Sequence, residues 1–223
     1  RNEGTLVVEN GTIEHKGAQA FATHMICAIF QYSGSTTING GTISTPNYRS
    51  IRLWKGDMTI NGGTFDGQVW VQAVDNSAEL TINGGTFEPN GQDASSVFVT
   101  NSTYDVELAV EGGTFNGKIG CSDATKLAGA ISGGQFSAAA VSGTNVALLP
   151  AKNNTNAELL NKEYVFGTID AEGYYGIQAA VAQIGTKGYA TLAEALAAAQ
   201  DGDTIKLLAD ISSDRIYIAG KAI

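Results

Sequence analysis

Apolar residues in the first part of the chain follow two periods at once, a short one of two residues and a long one near 22. Six segments carry the pattern: Glu9-Asn10-Gly11-Thr12-Ile13, Asn39-Gly40-Gly41-Thr42-Ile43, Asn61-Gly62-Gly63-Thr64-Phe65, Asn83-Gly84-Gly85-Thr86-Phe87, Glu111-Gly112-Gly113-Thr114-Phe115 and Ser132-Gly133-Gly134-Gln135-Phe136. Counted on the threonine column, which ends in Gln135, successive copies are 30, 22, 22, 28 and 21 residues apart. A base step near 22 with two insertions is the mark of a stacked repeat, because insertions leave as loops without disturbing the stack.

The columns define an inside and an outside. Four places before the threonine stand Val8, Ile38, Ile60, Ile82, Val110 and Ile131; one place after it stand Ile13, Ile43, Phe65, Phe87, Phe115 and Phe136. Both columns are apolar in every copy and are expected to point inward. The adjacent column Val7, Thr37, Thr59, Thr81, Ala109 and Ala130 is expected to point outward, as a strand with one buried face requires. The paired glycines mark a corner that needs positive φ or close backbone approach. Asn39, Asn61 and Asn83 are expected to form a side-chain ladder there. A second strand follows in most copies, at Ile51–Trp54, Gln68–Gln72 and Ser96–Val99. The expected fold is therefore all-β, a right-handed parallel β-helix, since parallel crossovers are overwhelmingly right-handed.

The repeat extends over 1–139. Beyond it, 140–180 reads as an irregular and strand-like connecting segment, with Asn153-Asn154-Thr155-Asn156 an exposed loop and strands at Tyr164–Ile169 and Tyr174–Ile184. The remainder, 181–223, contains the one good helix, Thr191–Gln200, with Thr191 and Glu194 as a capping box and Leu192, Ala195, Leu196 and Ala199 as its apolar face. Further strands are expected at Asp203–Leu208 and Arg215–Ile218.

Composition narrows the classes of function. The 223 residues carry a formal net charge of −9, which argues against nucleic acid and anionic lipid as partners. With 28 glycines, 3 prolines and 16% charged residues the chain is composed to fold. No apolar run reaches the length of a membrane span. The chain opens directly in a strand-like segment, as a piece of a longer protein would. Cys27 and Cys121 lie four repeat steps apart, roughly 19 Å at strand spacing, too far for a disulfide, and are expected to be free and buried.

Two stretches carry a resemblance. The Thr-Ile-Asn-Gly-Gly-Thr-Phe copies within residues 5–136 resemble the pectin-lyase-like right-handed β-helix superfamily, in particular repeat modules of large surface proteins of gut-dwelling Gram-positive bacteria. Residues 189–196 (Tyr-Ala-Thr-Leu-Ala-Glu-Ala-Leu), running on to Asp201-Gly202-Asp203-Thr204-Ile205, look like the amino-terminal cap that opens such helices. The resemblance implies an extracellular, secreted or surface-attached module, adjacent modules of the same chain as partners, and a second module beginning near residue 181. It also brings in polysaccharide lyases and hydrolases.

Those enzymes need acidic residues on adjacent coils. Two places after the threonine stand Glu14, Ser44, Asp66, Glu88, Asn116 and Ser137, so Asp66 and Glu88 are neighbours at a spacing that suits a retaining carboxylate pair or a bound calcium ion. An outward polar position after a corner, where any polar residue serves, explains them better, and the reading adopted is no catalytic pair, no metal and no cofactor. Arg49, Arg52 and Lys55 lie on another strand and show no sign of converging on them. His15 and His24 read as loop residues. The outward threonines are good strand residues, and an ice-binding row fails where one column changes to Ala109 and Ala130.

Parity makes Trp70 and Phe98 point outward, between Val69 and Val71 and between Val97 and Val99, and they share one offset from the threonine column. Trp54 and Arg52 are outward by the same parity. With Gln72 they are expected to form an exposed row, flat apolar platforms with polar orienters, suited to glycan or protein. Burial of that row by residues 137–173 is the competing expectation. The function that follows is a non-enzymatic extracellular β-helix module, an adhesin, stalk or glycan-binding unit; the alternative is a carbohydrate-active β-helix enzyme.

Overall fold

A computed structural model describes residues 1–16, 26–74, 76–90, 95–101, 103–137, 140–142, 145–146 and 159–212. His24, Asn153–Asn156 and the strand expected at Arg215–Ile218 lie outside these residues. The fold is all-β with parallel sheets and one α-helix, Leu192–Ala198. Among the described residues no helix is long and apolar enough to cross a membrane.

The repeat appears as successive circuits of the chain through the same two sheets. One sheet is five parallel strands, in the order Thr5–Val8, Ser35–Ile38, Gly56–Ile60, Ala78–Ile82 and Val106–Val110. Its registers align the columns read from the sequence: Val8 with Ile38, Ile38 with Ile60, Ile60 with Ile82 and Ile82 with Val110. Single bridges carry the column on through Ile131 to Leu160. The second sheet holds the strands after each corner, with Thr12, Thr42, Thr64, Thr86, Thr114 and Gln135 paired in sequence. Beyond a bend, the same circuits supply a further parallel row: Cys27–Gln31, residues 49–53, residues 68–72, Ser95–Thr100 and Lys118–Cys121.

Between the sheets lies one continuous apolar interior. Ile38, Ile60, Ile82, Val110 and Ile131 are fully buried, as are Phe65, Phe87, Phe115 and Phe136. The four phenylalanine rings stack at centroid distances of 4.8, 4.8 and 5.0 Å with interplanar angles of 9, 6 and 12°. Such stacking follows from the strand spacing, which sets successive rings about 4.8 Å apart.

In the five corners with a Gly-Gly pair both glycines are required, for different reasons. Gly85 takes φ of 104°, a conformation that penalises any Cβ. Gly84 has no such φ; instead a Cβ there would sit 2.5 Å from the Asn61 carbonyl oxygen of the circuit beneath. On the outside of the corner the asparagine ladder forms as expected, with Asn83 Nδ2 donating to Asn61 Oδ1 and Asn61 Nδ2 to Asn39 Oδ1, both at 2.8 Å. Asn39 Nδ2 donates in turn to Glu9, so the ladder ends on a carboxylate.

After Phe136 the pairing reverses. Gln135–Ser137 pairs antiparallel with Tyr174–Ala179, which pairs antiparallel with Tyr164–Ile169. Phe166 meets Phe136 edge-on at 5.6 Å and ends the ring stack. Ala180 and Val181 separate two strands where the sequence suggested one, Tyr174–Ala179 and Ala182–Ile184. Ala182–Ile184 forms a small antiparallel sheet with Lys187–Tyr189 and Ile205–Leu207, beside the helix. Thr191 Oγ1 accepts from the Glu194 N–H at 3.1 Å and caps the helix, while the Glu194 side chain accepts from the Ala190 N–H, one residue before the position of the standard box. The apolar face turns inward as read, with Ala195 and Ala199 buried and Leu192 and Leu196 half-buried.

Candidate functional site

Each weak acidic candidate is tied to an amide. Asp66 and Glu88 pair directly across parallel strands, as the column predicted. Asn90 Nδ2 donates to Asp66 Oδ1 at 2.7 Å, and Asn116 Nδ2 donates to Glu88 Oε1 at 2.6 Å. Tyr174 Oη donates to Asn116 Oδ1 at 2.8 Å, so the carboxylate column continues as a polar ladder onto the antiparallel hairpin. No cluster of three or more His, Cys, Asp or Glu placed to hold a metal ion occurs among the described residues. His15 is half-buried and prolongs its strand, donating its N–H to the Ser44 carbonyl at 3.0 Å.

Along the corner, Thr42, Thr64 and Thr86 with the corner glycines line a shallow groove of about 730 Å³. Hydroxyls and backbone make it polar, and it is open along its length.

The aromatic row is built by the bent part of each circuit. Register aligns Phe30 with Arg52, Arg52 with Trp70 and Trp70 with Phe98. Their strand neighbours Ile51, Leu53, Val69, Val71, Val97 and Val99 are fully buried in the interior, so the column faces outward as parity required. The expected exposure is corrected, however. Arg52 is 1% exposed and Trp70 8%, while Trp54, Gln72 and Phe98 are half-buried. Facing out of the interior did not mean facing water, because long side chains of neighbouring circuits lie across the rings. Arg49 places its guanidinium carbon 3.8 Å from the Trp70 ring centroid, and Arg52 places its own 4.6 Å from the same centroid and 4.7 Å from that of Trp54. The described part of the 137–173 segment docks instead on the last circuit, where Leu160 bridges to Ile131 and Phe166 meets the Phe136 ring.

Sequence reasoning missed six members of this wall. Phe30 packs edge-on to Trp54 at 5.0 Å and Tyr32 lies 5.3 Å from Trp54. Tyr48 lies under Arg49, and Lys55 and Arg1 both lie over Tyr32. The arginines and Lys55 do converge, on aromatic rings and not on Asp66 and Glu88. Parity alone would have set Phe30 and Tyr32 outward had Cys27–Gln31 been read as a strand; the 30-residue first step concealed it.

No protein-family model, curated protein or solved structure matches this chain. The chemistry of the wall must therefore speak from its own geometry. Arg52 Nη2 donates to Gln72 Oε1 at 2.6 Å, but Arg52 Nε and Nη1 have no hydrogen-bond partner among the described residues. Arg49 Nε and Nη1 and Trp54 Nε1 are likewise buried without an acceptor. Burial, with the Arg49 charge adding to it, pushes the Arg52 guanidinium down to about 10. A cation–π contact returns up to about 2 kcal/mol when desolvated, whereas the effective penalty for burying an unpaired ion is several kcal/mol. The rings offset only part of that penalty.

Cys27 pairs in register with Arg49, while Cys121 lies on the last strand of the same row. Neither is in a disulfide and both are buried, and burial pushes the Cys27 and Cys121 thiols up to about 11.

Proposed function

We propose that this chain is a non-enzymatic module of an extracellular surface protein, an adhesin or stalk unit that binds glycan on its outer wall. In this reading the stacked circuits make a right-handed parallel β-helix of the pectin-lyase-like kind, and modules of the same chain adjoin it. The parallel registers and the strong preference for right-handed crossovers support the architecture. One observation carries the binding assignment: the outer wall holds orphan N–H donors of Arg49, Arg52 and Trp54 beside aromatic faces. Sugars are recognised by that combination, with ring faces stacking on the aromatic platforms and hydroxyl oxygens accepting from the donors. The carboxylate ladder supports a scaffold over an enzyme, because Asp66 and Glu88 are each held by an amide and face no arginine or lysine at bonding distance among the described residues.

A glycan array probed with the purified chain and with Phe98→Ala tests this. Selective binding by the wild type, weakened in the variant while its melting temperature falls by only about 2–4 °C, is the expected result. Absence of binding to every glycan, or release of unsaturated sugar product that Asp66→Asn abolishes, overturns it.

A further inference from the structure

Glycan recognition leaves the charge of the ligand open, and the arginine pair bears on that charge. We propose that the outer wall is an oxyanion receptor, in which Arg49 and Arg52 hold the carboxylate or sulfate ester of an acidic sugar beside the Trp70 ring. The body of the ligand rests on the glycan-binding reading; its charge rests on separate observations.

Nine buried side-chain N and O atoms lack a hydrogen-bond partner among the described residues, and five of them belong to Arg49, Arg52 and Trp54. All five are donors. Carboxylate and sulfate oxygens only accept, so such a group matches this set without bringing an unwanted donor.

Two guanidiniums within 5 Å of one indole also repel each other. The described ion pairs are Arg1 with Glu3, Lys16 with Glu14 and Lys126 with Asp105, and none neutralises Arg49 or Arg52. Arg1 and Lys55 stand on the same wall over Tyr32, which concentrates four of the chain's 13 Lys and Arg residues in a molecule of net charge −9. A neutral sugar would satisfy the donors and leave the charge uncompensated. Arg49, Tyr48, Trp54 and Phe98 are half-buried and form the approachable rim, with Arg52 beneath them.

The chain has two tryptophans, Trp54 and Trp70, and both belong to the wall, so intrinsic fluorescence reports on this place alone. The intact chain would be titrated at constant ionic strength with glucuronate and glucose 6-sulfate, with sulfate and acetate as free ions, and with glucose. Saturable changes with glucuronate or glucose 6-sulfate are expected, at least tenfold tighter than with glucose. Arg49→Gln should weaken the response at least tenfold, and Arg49→Lys should recover part of it. Saturation by sulfate or acetate alone would keep the oxyanion receptor and overturn its glycan source. Equal response to glucose and glucuronate would overturn the anion assignment while sparing glycan binding. No response to any anion, or one indifferent to Arg49→Gln in a variant of unchanged circular dichroism, would overturn the proposal outright.

Discussion

Replacing Phe87 by alanine tests the interior most directly. The ring is fully buried and stacked on both sides, 4.8 Å from Phe65 and 4.8 Å from Phe115. A buried Phe→Ala change costs about 3–5 kcal/mol, of which the residual cavity is a large part. Here the cavity has little means of closing. The strands above and below are held by the Thr86 N–H on the Gly63 carbonyl and the Thr114 N–H on the Gly85 carbonyl, both at 2.8 Å, so neighbouring rings cannot slide into the gap. Two stacked pairs, each worth about 0.5–1.5 kcal/mol beyond burial, are lost with it. The loss should fall near the upper end, about 4–5 kcal/mol, a third or more of a typical domain's stability. Phe87→Leu should lose about 1–2 kcal/mol, since it retains most of the volume and forfeits the stacking. Urea unfolding followed by far-UV circular dichroism would measure both, and a double-mutant cycle of Phe87 with Phe115 should give a coupling of about 0.5–1.5 kcal/mol. A loss below about 1 kcal/mol for Phe87→Ala, or a coupling of zero, would refute a continuous ring stack.

Gly84→Ala should cost several-fold more than an ordinary exposed glycine-to-alanine change, because its Cβ meets the Asn61 carbonyl; an unchanged denaturation midpoint would contradict the corner geometry. Trp70→Ala should lower stability by about 3 kcal/mol or more, while Phe98→Ala, half-buried, should cost about 1 kcal/mol, and thermal melts would separate them. Both thiols ionise in the native state near 11 and not near 9.0, so the stability they contribute is full below pH 9 and lost as pH rises through 11. Unfolding at pH 8 and pH 10.5 should show that loss, on the order of 2 kcal/mol per thiol at its limit, and Cys121→Ala should reduce it.

Periodicity made the interior legible because the columns that must be apolar are apolar in all six copies, from Val8 to Ile131 and from Ile13 to Phe136. The asparagine ladder was legible for the same reason, since identical residues at one step must stack. Glu9 as its last acceptor was not, because it breaks the identity while keeping the hydrogen bond. On the outer wall, parity set the direction of Trp70 and Phe98 but not their burial. That depends on Arg49 and Arg52 reaching across from the neighbouring circuit, through a strand whose register shifts twice between Ser44 and Ile51. A spacing rule cannot follow a side chain over a bulge. The helix was placed by its cap, while its end came earlier than the apolar pattern implied, at Ala198, with the Asp203 carboxylate accepting from the Gln200 N–H just beyond.

The corner glycines also bear on self-association. At the equivalent place in the first circuit stands Asn10, whose side-chain oxygen accepts from the Gly11 N–H at 2.8 Å. A side chain is tolerated at Asn10 because no described circuit lies beneath it, whereas Gly40 above it already faces the Glu9 carbonyl, 2.9 Å from where a Cβ would be. A second copy adding its own circuit there in register would drive a carbonyl against the Asn10 side chain. At the opposite end, antiparallel Tyr174–Ala179 occupies the edge that a parallel newcomer would need. Stacks of parallel strands with open edges are templates for fibre growth. Among the described residues the corner column carries an obstacle to such growth at each end, the Asn10 side chain at one and a reversal of strand direction at the other.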